Sequence, residues 1–146
     1  MSSDSMDATT HDLPERAEVL IDVPLGGFIK RDDAGRFDYI SPFPCPFNYG
    51  SVPGTVAPDG DRIDAVVFGD KLAAGTRVTL PVRGIVDFVD AGREDPKWIC
   101  SPEPLTEGQR RIVTLFFVSY GPMKSALNLV RGAFGKTACR GVRLVR

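Results

Sequence analysis

Three carboxylates stand within six residues at Asp59-Gly60-Asp61-Arg62-Ile63-Asp64, and the chain runs from them straight into the apolar stretch Ala65-Val66-Val67-Phe68. A turn feeding a strand lets short carboxylates converge on one hard cation while the strand anchors them in a core. An EF-hand loop is excluded, because Ile63 falls on a ligand position and Asp64 on the position that needs glycine. An Asp-Gly turn with solvated charges is the plainer alternative for this segment taken by itself. A second acidic cluster, Asp87, Asp90, Glu94 and Asp95, is followed by Lys97. Two such clusters brought together repel unless cations or basic groups sit between them, so the pair points to a site for several cations. Of the 19 acidic residues 14 are aspartate, a bias that suits tight oxygen cages for hard cations and also suits turns.

The elements that must carry these residues read as mainly β. Glu18–Val23, Phe28–Lys30, Ala65–Phe68 and Arg77–Val82 have strand texture, and Gly84 interrupts an extended stretch that resumes as Ile85–Val89, as at a barrel corner. Prolines between Ser41 and Pro53 exclude helix there. Thr106 can cap a helix that carries Ile112, Val113, Leu115, Phe116 and Phe117, with Gly121-Pro122 as its end. A second amphipathic segment, Met123–Val130, is closed by Gly132 and Gly135, and Gly141–Val145 returns as a strand. The expected fold is α+β, mainly β: a small antiparallel barrel with flanking C-terminal helices.

At 146 residues the chain holds one domain. Residues 1–14, polar and without an apolar run, read as a mobile tail, and 15–146 as the domain. A net charge of -1 supplies no global field for nucleic acid or an anionic membrane. Three cysteines without CxxC spacing argue against a disulfide framework or a zinc knuckle and fit a reducing cytoplasm. The single histidine, His11, falls in the tail, away from the chemistry.

Asp59 to Asp64 resembles the signature of the family I, or soluble, inorganic pyrophosphatases, of the form Asp-x-Asp-Pro-hydrophobic-Asp. Pro46, with Asn48-Tyr49-Gly50, is similar to the family's Pro-x-Asn-Tyr-Gly element. Asp90, Asp95 and Lys97 fall at the spacing of its second acidic cluster. Ile21-Asp22-Val23-Pro24 and Ile29-Lys30-Arg31-Asp32 resemble its opening strands, and Phe116–Tyr120 resembles the helix that delivers a tyrosine to its site.

The resemblance implies an OB-type barrel and hydrolysis of pyrophosphate to two phosphates with magnesium, manganese being a substitute. It implies Asp59, Asp64 and Asp95 as metal ligands, Asp90 as ligand of a further metal, and Asp61 as the group that orients or deprotonates the attacking water. Lys30, Lys97, Tyr49 and Tyr120 would contact the phosphates or the metal-bound waters, and Asp22 and Asp32 would belong to the outer network. A homo-oligomer, a hexamer in bacterial members, is also implied. The match departs from the family where Arg62 replaces the signature proline, where Gly121 follows Tyr120 in place of a lysine, and near Ser41, where an arginine is missing. Arg36, Arg62 and Lys124 are the candidate replacements. Loss of cations from the phosphate side keeps open a second reading, action on another phosphoanhydride or phosphate ester. A non-enzymatic OB-type module that stacks single-stranded nucleic acid on Phe43, Phe47 and Tyr49 is the third, opposed by the acidic clusters.

Overall fold

Ala17, Val19, Ile21 and Val23 are buried and alternate with more exposed neighbours, the two-residue period of a strand with one face on a core. The computed structural model describes residues 13–27, 29–31, 37–40, 44–58 and 60–145, with 29–31 and 37–40 described by backbone only. Its elements are β1 (Arg16–Val23), β2 (Ile29–Arg31), β3 (Phe37–Ile40), β4 (Asn48–Val52), β5 (Ile63–Val67), β6 (Arg77–Asp90), β7 (Arg93–Glu94), β8 (Lys97–Cys100), α1 (Glu107–Arg131) and β9 (Ala138–Leu144).

Strands β6, β1, β4, β5 and β8 pair in that order, and β8 pairs again with β6, closing a five-stranded ring. The ring is antiparallel except at β5–β8, which is parallel. The long strand β6 makes closure possible by changing partners along its length: residues 77–81 face β1, 82–86 face β8, and 84–89 face β9 on the other edge. Its pairing with β8 shifts register between Val82 and Gly84, the barrel corner that the glycine marks. A side chain at position 84 would collide with the backbone of Arg143 in β9. Short β2 and β3 form a separate two-stranded sheet.

One helix, not two, covers the barrel among the described residues. Thr106 caps it with a full capping box: Gln109 N–H donates to Thr106 Oγ1, and Thr106 N–H donates to the Gln109 side chain, both at 3.0 Å. The expected break at Gly121-Pro122 does not occur, and α1 runs through Pro122 to a left-handed Gly132. Proline removes the hydrogen bond to the carbonyl four residues back. Here Pro122 and Val118 are both exposed, so the lost bond falls on the solvent side, while the inner face stays buried through Val113, Phe116, Phe117, Tyr120, Lys124 and Asn128. Burial of that continuous face outweighs a local penalty of about 3 kcal/mol. No helix among the described residues is long and apolar enough to cross a membrane.

Phe47, Tyr49, Val66, Val86, Phe88 and Ile99 from the barrel pack against the helix in one core cluster. A second cluster, with Ala17, Val19, Ile21 and Val82, fills the other side, and Leu13 packs against it. Residues 1–12 of the expected tail lie outside the described residues.

Candidate functional site

Parallel pairing of β5 with β8 puts Asp64 opposite Lys97. Lys97 Nζ lies 3.2 Å from Asp64 Oδ2 and 2.7 Å from Asp95 Oδ2. Asp95 and Lys97 are two residues apart, hence on one side of an extended chain, and Pro96 between them holds Asp95 out of the helical region. The Lys97 side chain is only 3% exposed. Burial alone would lower its pKa, but Asp95 and Asp64 outweigh that and raise it above the ordinary range. The ammonium also lies 5.3 Å from the centre of the Phe88 ring, within cation–π range.

Asn48-Tyr49-Gly50 serves this arrangement with three distinct jobs. Asn48, fully buried, accepts from the backbone N–H of Leu25 and Leu72 at 3.0 and 2.9 Å and donates to the Asp70 carbonyl at 2.9 Å, tying the loops at the mouth of β4. Tyr49 donates its hydroxyl to Asp64 Oδ2 at 2.9 Å. Gly50 sits where a Cβ would strike the Leu20 carbonyl of β1, so only glycine permits this packing.

The helix closes one side. Tyr120, 5% exposed, stacks on Phe116 at 6.2 Å and packs tilted against Phe88 at 5.6 Å, which sets it beside the ring that Lys97 lies over. One turn on, the buried Lys124 places Nζ 3.7 Å from Asp90 Oδ2, and one turn further Asn128 Nδ2 donates to Asp90 Oδ1 at 2.6 Å. Asp87 and Glu94 share Arg140 of β9, whose Nη2 reaches them at 2.6 and 2.7 Å. Basic groups thus answer the second acidic cluster residue by residue, as the repulsion argument requires.

Of the sequence candidates, Asp64, Asp95, Lys97 and Tyr49 meet directly, and Asp90 is drawn toward α1. Asp61 is exposed in the bend before β5, its carbonyl accepting from Ala57 N–H at 2.7 Å; Arg62 beside it is exposed. Asp22 is half-buried on β1. Asp59, Asp32, Arg36, Ser41 and Phe43 lie outside the described residues, as does the side chain of Lys30. Gly121 is buried with the start of β9 3.4 Å from where a Cβ would be. Asn128, Thr137 and Arg140 were not singled out in the sequence. The signal for Asn128 was the four-residue spacing of Tyr120, Lys124 and Asn128, hidden by the expected helix end at Pro122.

Whether these residues suit a divalent cation is answered by their chemistry. Asp64 and Asp95 are oxygen donors that already hold one positive charge between them, and oxygen-only sets select magnesium or manganese over zinc. Among the described residues no three acidic, histidine or cysteine side chains form a complete cage; the third expected donor is Asp59. Burial pushes the thiols of Cys45 and Cys100 up to about 11 and about 12, so neither supplies a thiolate near neutral pH.

The family model described as inorganic pyrophosphatase matches residues 27–115. The chain belongs to the inorganic pyrophosphatase family. It is 36% identical over 101 residues to an inorganic pyrophosphatase of Agrobacterium fabrum, covering 62% of this chain and 56% of the relative. It is 32% identical over 102 residues to that of Saccharolobus solfataricus, covering 64% and 59%, and 30% identical over 132 residues to that of Gluconobacter oxydans, covering 75% and 76%. The first two matches therefore span less than two thirds of those relatives. The crystal structure of the Thermus thermophilus inorganic pyrophosphatase superposes with a TM-score of 0.70 at 27% identity, covering 92% of this chain and 85% of that one. That of Neisseria gonorrhoeae does so at 0.68 and 26%, covering 88% and 82%. The expected fold and family stand, with one helix in place of two and one parallel strand pair in the ring.

Proposed function

We propose that this chain hydrolyses inorganic pyrophosphate to two phosphates, with magnesium held by its aspartates and manganese able to replace it. The observation that carries this reading is the meeting of Asp64 and Asp95 at Lys97 beside Tyr49, in a chain of this family. Asp59, Asp64 and Asp95 would hold the cations and Asp90 a further one. A divalent cation held by these carboxylates would lower the pKa of its coordinated water toward neutrality and offset the charge of the phosphates.

The remaining roles belong to the protein's own groups. Asp61, exposed in its bend, orients or deprotonates the attacking water. Tyr49 holds Asp64 by its hydroxyl, so the carboxylate meets its ligand without searching rotamers. Lys97, Lys30 and Tyr120 contact the phosphates, and a charged donor prepositioned in a poorly hydrated setting stabilises developing charge on the leaving phosphate. Asp22 and Asp32 belong to the outer network. Lys124 is the cation we assign to the phosphate side, in place of a lysine at 121. Free Cys45, Cys100 and Cys139 support a reducing cytoplasm. The exposed apolar residues Leu115, Val118, Leu129 and Val130 along α1 support a homo-oligomer, a hexamer by family resemblance.

Phosphate release from pyrophosphate, ATP and a simple monoester, each with magnesium and with chelator, tests the reading. Magnesium-dependent release from pyrophosphate far above the other two is the expected result. Preference for ATP or the monoester would move the assignment to another phosphoanhydride or phosphate ester.

A further inference from the structure

The turn between β6 and β7 is held in place from behind by one stretch of chain, from the last turns of α1 to the start of β9. Asn128 Nδ2 lies 2.6 Å from Asp90 Oδ1 and 3.1 Å from Thr137 Oγ1. An amide nitrogen carries two N–H groups, and both have an acceptor here. Thr137 Oγ1 accepts the Ala91 N–H at 2.9 Å, and the Gly92 N–H donates to the Lys136 carbonyl at 2.8 Å. Gly135 has φ 120°, and a Cβ there would come within 2.6 Å of the Ala91 carbonyl carbon, so the segment lies directly on the turn.

The turn needs that support. Ala91 has φ 51°, a left-handed conformation that a residue with a side chain adopts only when its surroundings impose it. The same turn connects Asp90 to Asp95, whose N–H is fixed to the Phe88 carbonyl at 2.9 Å across the hairpin. Asn128 is 5% exposed, so its amide bonds to Asp90 and Thr137 are made away from competing water.

We propose that Asn128 is a positioning residue for the metal carboxylates: it fixes the Asp90 carboxylate directly and, through Thr137, the turn that spaces Asp90 from Asp95. This rests on the reading of Asp90 and Asp95 as ligands given above. A partner that orients a ligating carboxylate is worth about 10- to 100-fold in metal affinity, because the free carboxylate must otherwise be ordered when the cation binds.

Magnesium binding by calorimetry, and melting with and without magnesium, compare the full-length protein with Asn128→Leu, which keeps approximate volume and removes both donors, and with Thr137→Val. Asn128→Leu should weaken magnesium binding about tenfold or more and shrink the rise in Tm that magnesium produces. Thr137→Val, which loses one of the two links, should shift the same way by less. A variant that melts lower yet binds magnesium as the native protein does has only a packing role at that position, and the proposal falls. If Asn128→Leu does not fold, native-like magnesium binding by Thr137→Val overturns it equally. Native protein that neither binds magnesium nor releases phosphate from pyrophosphate would overturn the functional reading itself, and this proposal with it.

Discussion

Asp64 and Lys97 are register partners in the parallel β5–β8 pair, with Nζ 3.2 Å from Oδ2. The same oxygen accepts the Tyr49 hydroxyl at 2.9 Å, so Asp64 is held by neutral and charged donors together. Asn at this position keeps an oxygen that accepts from both but loses the charge that attracts a divalent cation. Asp64→Asn should therefore abolish magnesium-dependent phosphate release while leaving the far-UV circular dichroism intact and Tm near the native value. Full activity of the variant, or of the native protein in chelator, contradicts a metal mechanism.

Lys97 is the internal cation between two carboxylates, and its removal leaves them facing each other. Breaking a buried pair by taking away one partner costs about 3 to 5 kcal/mol. Lys97→Met should unfold at markedly lower urea in chelator. Magnesium should restore more of that loss than it adds to the native protein, since an added cation relieves the same repulsion. Equal magnesium effects on both proteins would show that cation and lysine do not act on one charge cluster.

The raised pKa of Lys97 fixes the pH range of that difference. Burial lowers it, Asp95 and Asp64 raise it further, and the net is a folded value above the ordinary 10.5. A group raised on folding contributes its full share below the unfolded value and loses it as pH climbs through the folded one. The stability gap between native protein and Lys97→Met, measured by urea denaturation, should be level from about pH 7 to about pH 10 and narrow only at higher pH. Narrowing already between about pH 7 and pH 9 would mean the ammonium is not held by these carboxylates.

The parts of the fold legible in the sequence were those set by local chemistry. The strand texture of Glu18–Val23 gave most of β1, glycine gave the bend at 84, and Thr106 gave the helix start. The helix end was misplaced because local rules weigh Gly121-Pro122 as a stop, whereas buried contacts of Tyr120, Lys124 and Asn128 carry the helix past it. The same error hid Asn128 from the site. The pairing of Asp64 with Lys97 depends on a parallel register between segments over thirty residues apart, which no local pattern encodes. Asp90 was readable as a carboxylate near the site but not as one claimed by the helix, since only the three-dimensional approach of α1 to β6 assigns it partners.

The apolar outer face of α1 predicts an assembly. Leu115 is 65% exposed, Leu129 62% and Val130 86%, an expense in water that a protein–protein contact removes. Leu115→Glu combined with Leu129→Glu should lower the sedimentation coefficient of a native oligomer toward that of the single chain, with the barrel intact by circular dichroism. An unchanged coefficient would place any interface elsewhere.

Under the proposed function, Lys124 rather than position 121 would supply positive charge on the helix side. Position 121 looks into β9, where a Cβ would lie 3.4 Å from Ala138 Cα and 3.7 Å from the Thr137 carbonyl. That is ordinary contact, so Gly121→Lys should fold with some loss of Tm, but its side chain starts toward β9. Lys124 instead shares its face of the helix with Tyr120 and ends beside Asp90. Removal of one charged donor that strengthens in the transition state costs roughly 2 to 4 kcal/mol. Lys124→Ala should accordingly lower kcat/KM for pyrophosphate on the order of a hundredfold at saturating magnesium, beyond any loss of stability seen in melting. Adding Gly121→Lys to it should recover part of that loss only if the new ammonium threads past Thr137 into the site. Native kinetics in Lys124→Ala would show that its charge serves Asp90 and not the phosphates, and the case for a different phosphate substrate would then rest on the cations this helix lacks.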